Sequence, residues 1–286
     1  MEPMTAHNPG QDGTPTGYMV PTKQVRLTDF AAYKAQGKKF AMLTAYDYST
    51  ATAFAAGGIE LFLVGDSAAN VMLGYPTTSA ISMDEMCYLA AAVVRGAGRA
   101  FVVVDMPFGA YESSDAHAVA SAVEMIHRTG GHAVKLEGGV RIAPRIKAIK
   151  AAGIPVVAHI GFTPQSVNNL GGFKVQGRGD GAAQLKADME AVVEAGADMV
   201  VMEMVPGELA TEITQACPVP TIGIGAGNGT DGQVLVWHDM VALPADGHRP
   251  KFAKQWAEVG QAMTQAAAAY KKEVAEGTFP TADHTF

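Results

Sequence analysis

The chain has 286 residues, 48% of them hydrophobic and 17% charged, and a formal net charge of −7. That length and apolar content suit one large buried core, within the size range of single-domain α/β barrels. The acidic balance, without any run of Lys and Arg, argues against a nucleic-acid surface, and Cys87 and Cys217 lack the paired spacing of a zinc site or disulfide framework, which fits a reducing cytoplasm.

In chain order, MEPMTAHNPGQDGTPTGYMV has no apolar stretch flanked by basic residues. Residues 1–25 are therefore expected to form a mobile tail rather than a signal, and no later apolar run is long enough to cross a bilayer. The stretch RLTDFAAYKAQGKK reads as a helix, with Thr28 as N-cap and Leu27, Phe30 and Tyr33 as the contacts that cover one end of a core. Beyond it one cycle recurs: a short apolar run, a loop with an acid, Gly or Pro, then a helical segment. The strand candidates are Phe40–Thr44, Leu61–Val64, Phe101–Val104, Ala133–Leu136, Val156–Ala158, Met199–Met202, Thr221–Ile224 and Val234–Val236. Short runs that are apolar throughout indicate parallel strands buried on both faces, and eight of them alternating with helices predict a closed (β/α)₈ TIM barrel over residues 26–286, with one helix before it.

The helices carry punctuation. Ser82 and Glu85 form an S-x-x-E capping box ahead of a run to Ala97, with Gly98 as the stop. SSDAHAVASAVEMIHRTGG opens on capping residues and closes on paired glycines, and Thr163 before Pro164 suits a helix start. A last long helix is expected to carry Phe252, Trp256, Val259, Met263 and Tyr270 on one stripe that packs into the fold, contact with another subunit being its other use.

Five strand ends carry ionisable groups: Asp66 in LVGDS, Asp105 in VVVDMPF, Lys135 and Glu137 in VKLEGG, His159 in VVAHIGF and Glu203 in VVMEMVP. In a barrel these ends meet at one face, where catalytic groups from several strands reach the substrate. Lys135 and Glu137, two apart on one strand, share a face. Three carboxylates gathered together repel one another unless a divalent cation sits among them. Asp66, Asp105 and Glu137 offer the oxygen donors that Mg²⁺ prefers, directly or through water. Such a metal, chelated by a 2-oxo acid, would stabilise an enolate, with Glu203 as the general base. Lys135 reads either as an ion-pairing group for the substrate or as a Schiff-base nucleophile, and the neighbouring acids favour the first. His159 is either a donor to a carboxylate or a structural histidine, and Ser67 either a substrate contact or a turn residue.

Weaker features are the G-x-G-x-x-G match at Gly227, Gly229 and Gly232, which reads as a substrate-side loop or a tight turn rather than a dinucleotide fingerprint, and the glycine-rich run Asn168–Asp180 with Lys174 and Arg178, which reads as a lid or a solvated loop. His117, His127 and His132 read as surface groups.

Together TAYDYS, LVGDS, DMPFGAY, VKLEGG, AHIGFTPQSVNNLGGFKVQGRG, EMVP and IGIGAGNGTDGQVLVWHD resemble ketopantoate hydroxymethyltransferase, in order and spacing, from about Lys38 to the closing FPTADHTF. The resemblance implies a barrel of the phosphoenolpyruvate/pyruvate superfamily assembled as a cytoplasmic homodecamer. It implies transfer of a hydroxymethyl group from 5,10-methylenetetrahydrofolate to 3-methyl-2-oxobutanoate, giving 2-dehydropantoate on the way to pantothenate and coenzyme A. By motif it implies one Mg²⁺ per subunit around Asp66, Asp105 and Glu137, substrate contacts at Asp66, Ser67, Asp105, Lys135 and His159, and Glu203 as base. The alternatives are a magnesium-dependent carbon–carbon lyase of the same superfamily that uses no folate, a Schiff-base aldolase, and a non-catalytic binding protein.

Overall fold

The computed structural model describes residues 23–243 and 250–286. Of the tail expected over residues 1–25, residues 1–22 lie outside the described residues, and its last residue belongs to the fold. Val25 is buried and donates its N–H to Arg99 O at 2.9 Å.

Eight parallel strands close into a barrel in chain order: β1 (Phe40–Thr44), β2 (Leu61–Val64), β3 (Phe101–Asp105), β4 (Ala133–Glu137), β5 (Val156–Gly161), β6 (Met199–Glu203), β7 (Thr221–Ile224) and β8 (Gly232–Leu235). Strands β3 to β6 continue past their expected ends, so that Asp105, Glu137, His159 and Glu203 lie on the hydrogen-bonded ladder itself. Strand β8 is shifted toward the N-terminus relative to expectation because Gly232 already pairs with Phe40 on one side and Ile222 on the other.

Alternation along each strand explains how the interior is filled. Phe101 and Val103, Ala133, Val157, and Met199 and Val201 belong to one cluster inside the barrel. Continuing the same alternation reaches Asp105, Lys135 and Glu137, His159 and Glu203. The apolar layers thus give way to charged layers at the carboxyl end of the strands, the end at which TIM barrels carry their chemistry.

The amino end is closed by α1 (Leu27–Ala35), whose fully buried Phe30 ring packs 5.1 Å from that of Phe40 and 6.1 Å from that of Phe101. Thr28 is not its N-cap. The cap position is Arg26, and the Asp29 carboxylate accepts the Arg26 N–H at 2.8 Å, which leaves Thr28 inside the first turn. The outer layer consists of α2 (Tyr48–Ala56), α3 (Met83–Gly96), α4 (Asp115–Thr129), α5 (Ala143–Ala151), α6 (Gly181–Glu194) and α7 (Gly207–Ala216). The Ser82–Glu85 capping box forms, with Ser82 N–H donated to Glu85 at 2.8 Å, and Gly130 closes α4 in the left-handed conformation.

The strict strand–helix alternation breaks once. Strands β7 and β8 are joined by the loop 225–231 with no helix between them. Close approach accounts for glycines of the G-x-G-x-x-G match in this stretch: a Cβ at Gly227 would come 2.9 Å from the Gly207 backbone, and one at Gly232 would enter the Phe40 ring. The chain ends in α8 (Val259–Glu276), which buries none of its residues; Met263 and Tyr270 are 58% and 62% exposed. Of the expected stripe, Val259 at the start of the helix packs against the core, Met263 and Tyr270 do not, and Phe252 and Trp256 precede the helix. Among the described residues, no helix is long and apolar enough to cross a membrane.

Candidate active site

The charged layers open into a cavity of about 290 Å³ lined by Asp66, Ser67, Asp105, Lys135, Glu137, His159 and Glu203. All seven residues singled out from the sequence are therefore brought together. Asp66, Asp105, Lys135, Glu137 and His159 are each less than 5% exposed. Asp66 follows the end of β2 and is tied to β3 by its own N–H, donated to Asp105 Oδ2 at 2.9 Å.

Lys135 is the hub. Its Nζ lies 3.2 Å from Asp105 Oδ1 and 3.8 Å from Glu137 Oε1, and it donates to His159 Nδ1 at 3.0 Å. An ammonium has only donors, so Nδ1 must present its lone pair. In the neutral ring the proton then sits on Nε2, which faces Glu203 Oε2 at 3.3 Å. The imidazole is held neutral, its pKa lowered first by burial and then by the Lys135 charge. A histidine that sequence left between two roles thus links the lysine to the Glu203 carboxylate.

Burial raises the pKa of Asp66, Asp105, Glu137 and Glu203. Asp105 is pushed up to about 7, with Lys135 opposing the rise. Asp66 is raised by burial and then by the Glu137 charge, Glu137 by burial against Lys135, and Glu203 by burial against its contact with His159. For Lys135, burial works against the charged form, but Asp105, Glu137 and Asp66 outweigh it and hold the ammonium above its ordinary value. A lysine held charged is a poor amine nucleophile, which disfavours Schiff-base chemistry.

Asp66, Asp105, Glu137 and Glu203 therefore face one ammonium and one neutral imidazole, and Asp239 also lines the cavity. Asp105 Oδ1 and Glu137 Oε1 are buried without a hydrogen bond. This excess of hard oxygen donors fits a divalent cation of the Mg²⁺ type. Among the described residues no three acidic, histidine or cysteine side chains already converge as a ligand set, so water would complete the shell of such an ion.

Three residues of the site escaped the sequence reading. Gln165, just after β5, donates Nε2 to Asp66 Oδ2 and to Met106 O, both at 3.0 Å, and its backbone N–H to Glu137 Oε2 at 2.9 Å. Tyr111 donates its hydroxyl to Gln165 Oε1 at 2.5 Å and accepts the Glu137 N–H at 3.2 Å. Tyr46, fully buried, shares a 2.8 Å hydrogen bond with Ser67 Oγ. Gln165 sits in GFTPQSV and Tyr46 in TAYDYS, so both lay inside motifs already noted. An uncharged amide and a phenol carry no mark in sequence that they orient acids. His132, expected at the surface, is half-buried instead and accepts the Val102 N–H at 2.8 Å through Nδ1.

Comparison with known proteins bears on the family and the fold. The sequence model of ketopantoate hydroxymethyltransferase matches residues 24–282. The chain is 69% identical over 283 residues to 3-methyl-2-oxobutanoate hydroxymethyltransferase of Corynebacterium jeikeium (strain K411), covering 99% of this chain and 100% of that protein. It is 62% identical over 265 residues to the protein of the same name from Corynebacterium diphtheriae, covering 93% and 100%. Among solved structures, phosphonopyruvate hydrolase in complex with oxalate and Mg²⁺ superposes with a TM-score of 0.59 at 12% identity, covering 90% of this chain and 92% of that one. The 2,3-dimethylmalate lyase of the PEP mutase/isocitrate lyase superfamily gives 0.57 at 15% identity, covering 91% of each. These two likenesses concern the barrel alone. The chain belongs to the ketopantoate hydroxymethyltransferase family.

Proposed function

We propose, from that membership and from the cavity, that the protein transfers a hydroxymethyl group from 5,10-methylenetetrahydrofolate to 3-methyl-2-oxobutanoate, with water as co-reactant, giving 2-dehydropantoate and tetrahydrofolate in the route to pantothenate. The observation that carries this reading is the Lys135–His159–Glu203 chain beside the three buried acids. A carboxylate base in this position suits removal of a proton next to a ketone.

Asp66, Asp105 and Glu137 would hold one Mg²⁺ per subunit, partly through water. The ion would supply Lewis-acid withdrawal of electron density from the 2-oxo group. Ser67 and Lys135 bind and orient the substrate oxygens, and the Lys135 ammonium offsets the negative charge that develops there. Glu203 accepts the C3 proton, with Nε2 of His159 lying 3.3 Å from its carboxylate. Burial, which raises the pKa of Glu203, brings it closer to the pH at which it works and strengthens it as a base. The C3 carbanion then bonds to the one-carbon unit. That unit starts bonded to two folate nitrogens, N5 and N10: one C–N bond opens as its nitrogen takes a proton, the carbanion adds to the carbon so exposed, and water displaces the second nitrogen to supply the hydroxyl. The C3 proton and one proton of water thus end on the two nitrogens of tetrahydrofolate. The exposed Met263 and Tyr270 on α8 support assembly into a homo-oligomer, a decamer in this reading, and the cytoplasm is its proposed location.

Label transfer tests the reaction. With methylene-¹³C folate, 3-methyl-2-oxobutanoate and Mg²⁺, the label should appear in the hydroxymethyl carbon of 2-dehydropantoate, stop with EDTA and return with added Mg²⁺. Label retained on the folate under all conditions would refute the transfer.

A further inference from the structure

The cavity has two halves. The floor is charged, but the rim includes two phenyl rings, Phe173 and Phe252, together with Pro164 and Pro250. Neither ring is needed for the chemistry at the floor, and Phe173 is 76% exposed.

Each ring contacts a residue that directly follows a strand neighbouring the Glu203 strand. Strand β6, which carries Glu203, lies between β5 and β7. On the β5 side, Phe162 directly follows the strand and is fully buried, and the Phe173 ring stacks on it at 4.9 Å with an interplanar angle of 33°. The loop bearing Phe173 is also tied to β6, because Gln176 donates its N–H to Met204 O at 2.9 Å. On the β7 side, Phe252 rests on Gly225, the residue after the strand. A Cβ there would come 2.9 Å from the Phe252 ring, and the backbone adopts φ +60°, so glycine is required twice over. The two phenyl groups thus flank the mouth on either side of the strand that carries the carboxylate. The Phe173 loop also bears Lys174 and Arg178, both exposed.

We propose that Phe173 and Phe252 form an aromatic clamp at the mouth of the cavity that receives the flat fused heterocycle of the folate one-carbon donor, with Lys174 and Arg178 facing its anionic glutamyl tail. This rests on the reading of the site as a folate-dependent hydroxymethyl transferase. The occupant is chosen on three counts: a planar π-system suits stacking between phenyl rings, a dianionic tail suits a loop with two cations, and the one-carbon unit must enter from the open side toward a substrate held on the floor. The smaller 2-oxo acid uses the charged floor and has no planar ring to occupy the clamp.

The test separates the two halves of the cavity. Tetrahydrofolate affinity is measured by isothermal titration, and the KM values of both substrates by steady-state kinetics, for wild type, Phe173→Ala, Phe252→Ala and the ring-retaining Phe252→Tyr. Truncation should weaken tetrahydrofolate binding about ten- to hundredfold, the range that ring stacking supplies, while KM for 3-methyl-2-oxobutanoate moves less than about threefold. Phe252→Tyr should restore most of the loss. Tetrahydrofolate affinity in both alanine variants within about twofold of wild type would overturn the clamp, as would equal losses for both substrates. Wild-type protein that binds no tetrahydrofolate and forms no product would instead defeat the underlying transfer reading.

Discussion

At the scale of single residues, the site is a set of buried charges held together by one lysine. Removing one partner of a buried ionic group leaves the others uncompensated, at a cost of about 3–5 kcal/mol. Lys135→Met is therefore expected to lower unfolding stability by about that amount in urea titrations of metal-free protein, and added Mg²⁺ should recover part of it. Asp105 gives a pH dependence of unusual sign. Its folded pKa, pushed up to about 7 by burial, lies above the unfolded value of 3.8. The unfolded state therefore binds fewer protons between these values, and the contribution of Asp105 to stability is full below about pH 4 and lost as pH rises toward 7. A divalent cation that binds there must displace those protons, so its uptake near neutral pH should acidify a weakly buffered solution. Metal binding without proton release would contradict the assignment. Gln165 is the quieter member. Gln165→Leu removes the amide donor to Asp66 and the acceptor for the Tyr111 hydroxyl, and should cost about 1–3 kcal/mol in stability and about 10–100-fold in Mg²⁺ affinity. The acids and Lys135 were readable from sequence because a charge at the end of an apolar strand contradicts its surroundings. Gln165, Tyr46 and Tyr111 were not, since each is unremarkable until its partners are brought up by other strands.

At the scale of elements, strand identity followed from continuous apolar runs, but strand length did not. A charged residue reads as the end of a buried strand, whereas in the barrel it is the last inward position of an unbroken ladder, as Glu137 is on β4. Register across neighbouring strands decides this, and one strand's own sequence does not contain it. The cap of α1 failed for a related reason: Thr28 and Asp29 both offer cap oxygens, and the acid won by reaching back to Arg26. This helix lies at the end of the barrel opposite the chemistry, which gives a clean separation of stability from activity. Phe30→Ala should lower stability by about 3–5 kcal/mol while kcat of the remaining folded protein stays near wild type. A parallel collapse of kcat would mean that the two ends of the barrel are coupled.

At the scale of the whole molecule, the eightfold cycle was legible because length, apolar strands and helical segments all agree on one architecture. The helix missing between β7 and β8 and the exposed face of α8 were not, because both depend on what surrounds the outer layer rather than on local pattern. If α8 docks on another subunit, Met263→Glu with Tyr270→Glu should reduce the mass seen by light scattering while leaving far-ultraviolet circular dichroism intact. An unchanged mass would assign assembly to other surfaces. The closed barrel does for the site what no single segment does: it brings Asp66, Lys135 and Glu203 from separate strands to one cavity. The most direct test of that arrangement is hydrogen exchange at C3 of 3-methyl-2-oxobutanoate, followed by proton NMR in D₂O with Mg²⁺ and without folate. Wild-type protein should wash out the C3 proton, and Glu203→Gln should slow exchange at least about a hundredfold, the share of a positioned base. A Glu203→Gln variant that exchanges at the wild-type rate, or wild-type protein that promotes no exchange, would contradict the account.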